Sequence, residues 1–192
     1  MNERLVRWNQ RYGRGEETFD FRPSPPLPSA VSGVAPGRAL DLASGAGRHS
    51  IWLAEQGWQV VAVDGARAGV DIMCAEAARR GVAGRIESHV ADLMTRPRGF
   101  ALEPDGYDLV CDFYFLDRSL FPEIRAAVRP GGLFVAAIHL SGPDDPPDRL
   151  LAPGELSSIV HPWGWHLDLD EGASREHGHA RGTVHLVARR PP

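Results

Sequence analysis

Apolar positions recur along this chain in two rhythms, short β-branched runs and longer helical stretches. Ala39-Leu40-Asp41-Leu42 and Gln59-Val60-Val61-Ala62-Val63 are near-continuous apolar runs, the pattern of strands buried on both sheet faces. Between them, residues 51–56 read as a helix stopped by Gly57. The alternation continues with a helix over 66–80 closed by Gly81, a strand over 85–90 and a strand over 107–111. A helix over 120–128 follows, then the turn Arg129-Pro130-Gly131-Gly132 and a strand over 133–138. Such alternation predicts an α/β fold with a parallel sheet. Residues 153–160 predict a short helix, and the period-two runs 163–169 and 183–188 predict two closing strands joined by a polar loop.

The N-terminal stretch differs. Residues 3–12 predict a short helix with Leu5, Val6 and Trp8 as its apolar elements, broken at Gly13 and Gly15. Residues 19–28 contain Pro23, Pro25, Pro26 and Pro28 and read as a stiff, extended loop. Residues 143–148 are all Pro or Asp and read as an exposed loop. A chain of 192 residues without a repeat predicts one domain, with an arm over 1–30 and a core over 31–192.

Composition narrows the function classes. Lys+Arg total 21 and Asp+Glu 25, a net charge of −4, which argues against a broad nucleic-acid-binding face. Cys74 and Cys111 are too far apart for a metal-spaced pair, which fits reduced thiols. His161, His166, His177, His179 and His185 have no cysteine or tight helical pair beside them, so no metal site is expected. No apolar run approaches the ~18 residues of a membrane span, and the first residues show no apolar signal region. A cytoplasmic protein without membrane or nucleic-acid partners is expected.

The chemistry concentrates in Asp41-Leu42-Ala43-Ser44-Gly45-Ala46-Gly47. Strand, glycine loop and helix bring a ligand close to bare backbone, and free N–H groups at the helix start can face an electron-rich group. An acid at the strand end would repel the pyrophosphate of a nicotinamide cofactor. It suits a cation, such as the ammonium of S-adenosylmethionine (SAM). The third glycine of the dinucleotide fingerprint is missing, with Ser50 in its place. Asp64, 23 residues after Asp41, ends the second strand, where an acid can accept from ribose hydroxyls.

This stretch resembles motif I of the class I SAM-dependent methyltransferases, and the chain is most similar to the small bacterial tellurite-resistance type. Ala43 stands where that motif has its first glycine. The resemblance implies a doubly wound, seven-stranded, mostly parallel sheet ending in an antiparallel strand pair. It implies SAM as cofactor, with Asp41, Ala43, Gly45 and Gly47 around the loop and Asp64 on the ribose. By the same resemblance Gly65 packs on the adenine, Asp92 and Leu93 meet the adenine edge, and Cys111 joins the cofactor contacts. Trp8, Arg11 and Tyr12 either close over the sulfonium, whose charge an aromatic face attracts, or form a permanently packed arm.

Methyl transfer asks chiefly for alignment, water exclusion and proton removal where the acceptor carries a proton. Residues after the fourth and fifth strands are the ones to do it. Asp112, Tyr114 and His139 are therefore the catalytic candidates. His139 is a general base or a packing histidine, Tyr114 an orienting hydroxyl or a buried aromatic, and Asp112 a catalytic acid or the holder of the SAM amino group through water. Asp112-Phe113-Tyr114-Phe115 lacks the paired prolines that grip base amino groups, which points to a small-molecule acceptor. A SAM-binding module without catalysis and a nicotinamide-dependent oxidoreductase are the competing readings.

Overall fold

The computed structural model describes residues 3–14, 19–141, 150–170 and 181–192. Seven strands form one sheet: β1 (Arg38–Leu42), β2 (Gln59–Asp64), β3 (Ile86–Val90), β4 (Tyr107–Phe113), β5 (Val128–His139), β6 (His166–Asp170) and β7 (Thr183–Arg189). Their order is β3-β2-β1-β4-β5-β7-β6. The pairs β1–β2, β2–β3 and β4–β5 are parallel, whereas β7 runs antiparallel to both β5 and β6. This is the expected α/β methyltransferase fold with its antiparallel ending. Among the described residues, no helix is long and apolar enough to cross a membrane.

The chain divides into two compact units, Met1–Pro23 with Ala35–Ala101, and Ser24–Val34 with Leu102–Pro192. The N-terminal unit holds α1 (Glu3–Gly13), α3 (Arg48–Glu55) and α4 (Arg67–Arg79) beside β1–β3. Leu40, Leu42, Ile51, Leu53, Trp58 and Met73 are buried in it, each contributing about 1.5–3 kcal/mol. β1 and β2 are covered along most of their length, while β3 exposes Glu87 and Ser88. Those polar side chains blunt the sheet's outer edge.

The C-terminal unit holds α2 (Pro26–Val31), α5 (Phe121–Ala127) and α6 (Glu155–Val160) beside β4–β7. Its core includes Leu27, Tyr107, Leu109, Leu120, Ile124 and Phe134. Three local expectations change here. Residues 26–28, expected to be extended, instead open the helix Pro26–Val31, because prolines are accepted in a first turn where no N–H is needed. Leu27 and Val31 of that turn are then buried. The turn at 129–132 lies inside β5, where Tyr107 pairs with Val128 and Leu109 with Leu133. Five steps of β5 thus oppose two steps of β4, a bulge whose Gly131 amide and Gly132 carbonyl are met by Arg190.

The third change concerns Trp163. It closes a 3-10 turn, His161–Trp163, and the strand begins only at His166. Gly164 follows at φ +70°, and the Trp163 ring packs 5.9 Å from Phe134 and 4.9 Å from Trp165. The Pro/Asp run at 143–148 and the histidines at 177 and 179 lie outside the described residues.

Candidate functional site

The glycine loop of the N-terminal unit is built between two carboxylates. Asp41, on β1, is 1% exposed. Its Oδ2 accepts from Ser50 Oγ at 2.6 Å, and the Ser50 amide of the first turn of α3 donates to it as well. Burial pushes the Asp41 carboxyl up to about 7, against the pull of the Ser50 hydroxyl and amide, with Asp64 adding to the rise. The first turn of α3 therefore already spends one of its amides on Asp41.

Asp64, at the end of β2, reaches back to the same loop. Its Oδ2 accepts from the Gly45 N–H at 2.8 Å and its Oδ1 from the Ala66 N–H at 2.6 Å. Burial raises the Asp64 carboxyl, those two amides oppose the rise, and Asp92 adds to it. Each oxygen keeps a second lone pair for a ligand hydroxyl. Between the acids, the loop turns through Ala43 at φ +53°, Gly45 at +56° and Gly47 at +83°. Ala43 thus holds a left-handed conformation that glycine adopts more readily. Gly47 is required twice, because a Cβ there would stand 2.2 Å from Met73 Cγ.

Ser44, between Ala43 and Gly45, was not singled out from the sequence. Its side chain is 8% exposed, and its Oγ has no hydrogen-bond partner among the described residues. An orphaned buried hydroxyl is costly, and one set in this loop beside two acids suits a polar, cationic cofactor. No sequence signal marks it, since serine is ordinary in turns.

Helix α1 lies along α4 and over the loop. A Cβ at Gly45 would stand 2.5 Å from Tyr12 Oη, one at Gly65 2.5 Å from Leu5 Cδ1, and one at Gly69 3.0 Å from the Tyr12 ring. These glycines therefore admit α1 to the loop. Gly69, inside α4 at a helix-propensity cost of about 1 kcal/mol, is explained by that approach. Tyr12 is the arm residue that meets the loop. Trp8 stacks on Tyr12 at 5.6 Å but remains 38% exposed, and Arg11 sits over Trp8 at 5.1 Å.

Asp92 is half-buried, and its Oδ1 accepts from the Met94 N–H at 2.9 Å. Leu93 is buried, with its carbonyl accepting from Arg96 and Arg98. In the C-terminal unit, Cys111 is enclosed within β4, opposite Val135. Asp112 is 2% exposed, and β4 ends one residue later.

Tyr114 follows β4 at φ +63°, with its N–H donating to Ala137 O at 2.7 Å. A bulky residue there is strained by about 1–3 kcal/mol. Its hydroxyl lies 3.0 Å from that of buried Ser24, and its ring 4.9 Å from that of His139. The structure thus brings Tyr114 and His139 together and adds Ser24 from before α2. Arg118 is engaged by both oxygens of Glu155 and by Leu150 O. Among the described residues, no group of three or more His, Cys, Asp or Glu could hold a metal.

Residues 39–132 match the model of the methyltransferase domain. A curated relative, ribosomal RNA small subunit methyltransferase C of Alcanivorax borkumensis, is 33% identical over 102 residues. That match takes in 51% of this chain but only 31% of the relative, so the chain spans about a third of its length. Among solved structures, TehB from Haemophilus influenzae superposes with a TM-score of 0.70 at 17% identity, covering 95% of this chain and 67% of that one. An S-adenosylmethionine dependent methyltransferase from Mesorhizobium loti gives 0.66 at 17% identity, covering 89% and 100%. At these identities the structural likeness is one of fold.

Proposed function

We propose that this chain, which carries a methyltransferase domain over residues 39–132 on the class I methyltransferase fold, is a SAM-dependent enzyme that binds SAM on the acid-bracketed glycine loop and methylates a small molecule. The observation that carries the reading is the pair of carboxylates, buried Asp41 and half-buried Asp64, on either side of Gly45 and Gly47. A nicotinamide pyrophosphate would meet the Asp41 carboxylate and find a helix-start amide already used, so the oxidoreductase reading loses support. When bound, SAM supplies an activated methyl on a sulfonium. Asp41 holds the ammonium, Asp64 the ribose hydroxyls, and Ser44 offers its unspent hydroxyl to the same ligand. Asp92, Leu93 and Gly65 keep their adenine-side roles from the family resemblance, and Cys111 its place among the cofactor contacts. Tyr12 shields the loop from water, with Trp8 and Arg11 bracing it from outside.

On the acceptor side, His139 takes up a proton where the acceptor releases one, Tyr114 orients the acceptor, and Asp112 serves either there or on the ammonium. Charge supports a small acceptor over RNA. The unit that carries these residues has 8 arginines against 14 acidic residues, which repels a polyanion. One domain over 1–192 and a cytoplasmic location complete the proposal. Calorimetry with SAM, S-adenosylhomocysteine and NADH tests the cofactor, and SAM consumption with a panel of thiol, amine, hydroxyl and chalcogen-oxyanion acceptors tests the reaction. Binding of NADH but of neither SAM compound would refute the cofactor. SAM binding without turnover on any acceptor would favour a non-catalytic SAM-binding module.

A further inference from the structure

Helix α4 starts without a cap of its own. Its N-cap position is Ala66, which has no side-chain oxygen to offer the free first-turn amides. The missing acceptor comes from 59 residues upstream. Asn9, on α1, places its Oδ1 3.1 Å from the Ala68 N of that first turn, so the Ala68 N–H donates to it. The same side chain is fixed from behind, with Nδ2 donating to Leu5 O at 3.2 Å. Asparagine is among the preferred capping residues, and the contact is half-buried, out of full competition with water.

Leu5, Asn9 and Tyr12 form one face of α1, at spacings of four and three residues. Leu5 fills the space at Gly65, and Tyr12 fills that at Gly45 and Gly69. Asn9, between them, makes a polar contact with a fixed direction. No residue of α1 is fully buried, so apolar packing alone holds the helix weakly. A directional bond to a rigid helix end sets both the height and the rotation of α1 over the loop.

We propose that Asn9 is a positioning residue for the cofactor site: by capping α4 it docks α1 and holds Tyr12 against Gly45. The proposal rests on the SAM reading for its consequence, but the docking itself does not. It predicts opposite behaviour for a truncation and a near-isosteric change. Asn9→Ala removes the acceptor. Asn9→Asp keeps it, gives up the donor to Leu5 O and adds a charge that the α4 N-terminus favours.

The test uses the full chain. Amide hydrogen exchange over residues 3–13 is followed without ligand, and S-adenosylhomocysteine affinity is measured by calorimetry. For Asn9→Ala, exchange over 3–13 should rise about fivefold or more, and the dissociation constant should rise by a similar factor, the size of one lost cap. Urea unfolding of the core should stay near wild type. Asn9→Asp should restore both readouts. Asn9→Ala combined with Tyr12→Ala should bind no more weakly than Tyr12→Ala alone, because Asn9 acts through Tyr12.

Unchanged exchange in Asn9→Ala would overturn the docking. Faster exchange with unchanged affinity would overturn the positioning role. A wild-type protein that binds neither SAM nor S-adenosylhomocysteine would refute the cofactor reading and with it the positioning role, while exchange would still decide whether Asn9 docks α1.

Discussion

Ser50→Ala isolates the contact that makes Asp41 unusual. Ser50 is fully buried, and its hydroxyl lies 2.6 Å from a carboxylate that is itself 1% exposed. The change leaves Asp41 with the Ser50 amide but without the hydroxyl. In the wild type the folded carboxyl titrates near 7 against 3.8 in the reference state. Between those values the native chain holds a proton that the unfolded chain has lost. The contribution of Asp41 to stability should therefore be highest at low pH, decline as pH rises towards 7, and level off above it. At about 1.4 kcal/mol per unit, the decline from this group is on the order of 4 kcal/mol at most.

Removing the hydroxyl takes away a stabiliser of the ionised form, so the mutant should continue to lose stability above pH 7. At pH 5.5 the lost bond is that of a neutral acid, roughly 0.5–1.5 kcal/mol. At pH 8.5 it is charge-assisted, roughly 1.5–3 kcal/mol. Urea unfolding of both proteins at pH 5.5, 7 and 8.5, followed by circular dichroism, measures the difference. An equal mutational loss at pH 5.5 and 8.5 would show that Asp41 does not change its protonation in this range and would refute the reasoning.

Other expectations follow from the same loop. SAM affinity should fall up to about tenfold per unit as pH drops below 7, because a protonated Asp41 cannot pair with an ammonium; calorimetry giving a flat profile between pH 6 and 8 would exclude that pairing. Asp64→Ala should cost roughly 1.5–3 kcal/mol for each of its two amide bonds and also weaken S-adenosylhomocysteine binding. Lost stability with unchanged affinity would leave Asp64 as a loop brace only. Ala43→Gly should relieve left-handed strain of about 1–2 kcal/mol and return about 0.5–1 kcal/mol in chain entropy. Its thermal midpoint should therefore match or slightly exceed wild type, and a clear loss would show that the Ala43 methyl packs favourably.

Much of this architecture is written in short-range pattern. β1 spans Arg38–Leu42 around the expected apolar run 39–42, β2 begins at Gln59 as expected, and α4 spans Arg67–Arg79 against an expected 66–80. Runs of valine and alanine between glycine stops record burial directly, because every buried residue leaves its mark on local composition. The acid at each strand end was equally legible, since its place is fixed by the strand before it. What tertiary structure decided lies in contacts between distant residues. The helix at Pro26–Val31 depends on the burial of Leu27 and Val31, and prolines alone read as extended chain. Trp163 left the expected strand for an aromatic cluster with Phe134 and Trp165. Tyr12 at Gly45, Ser24 at Tyr114 and Asn9 at Ala68 join residues 33, 90 and 59 positions apart. Period and propensity report whether a side chain is covered. Which distant backbone amide or hydroxyl it meets depends on the three-dimensional course of the chain, and no local rhythm encodes that.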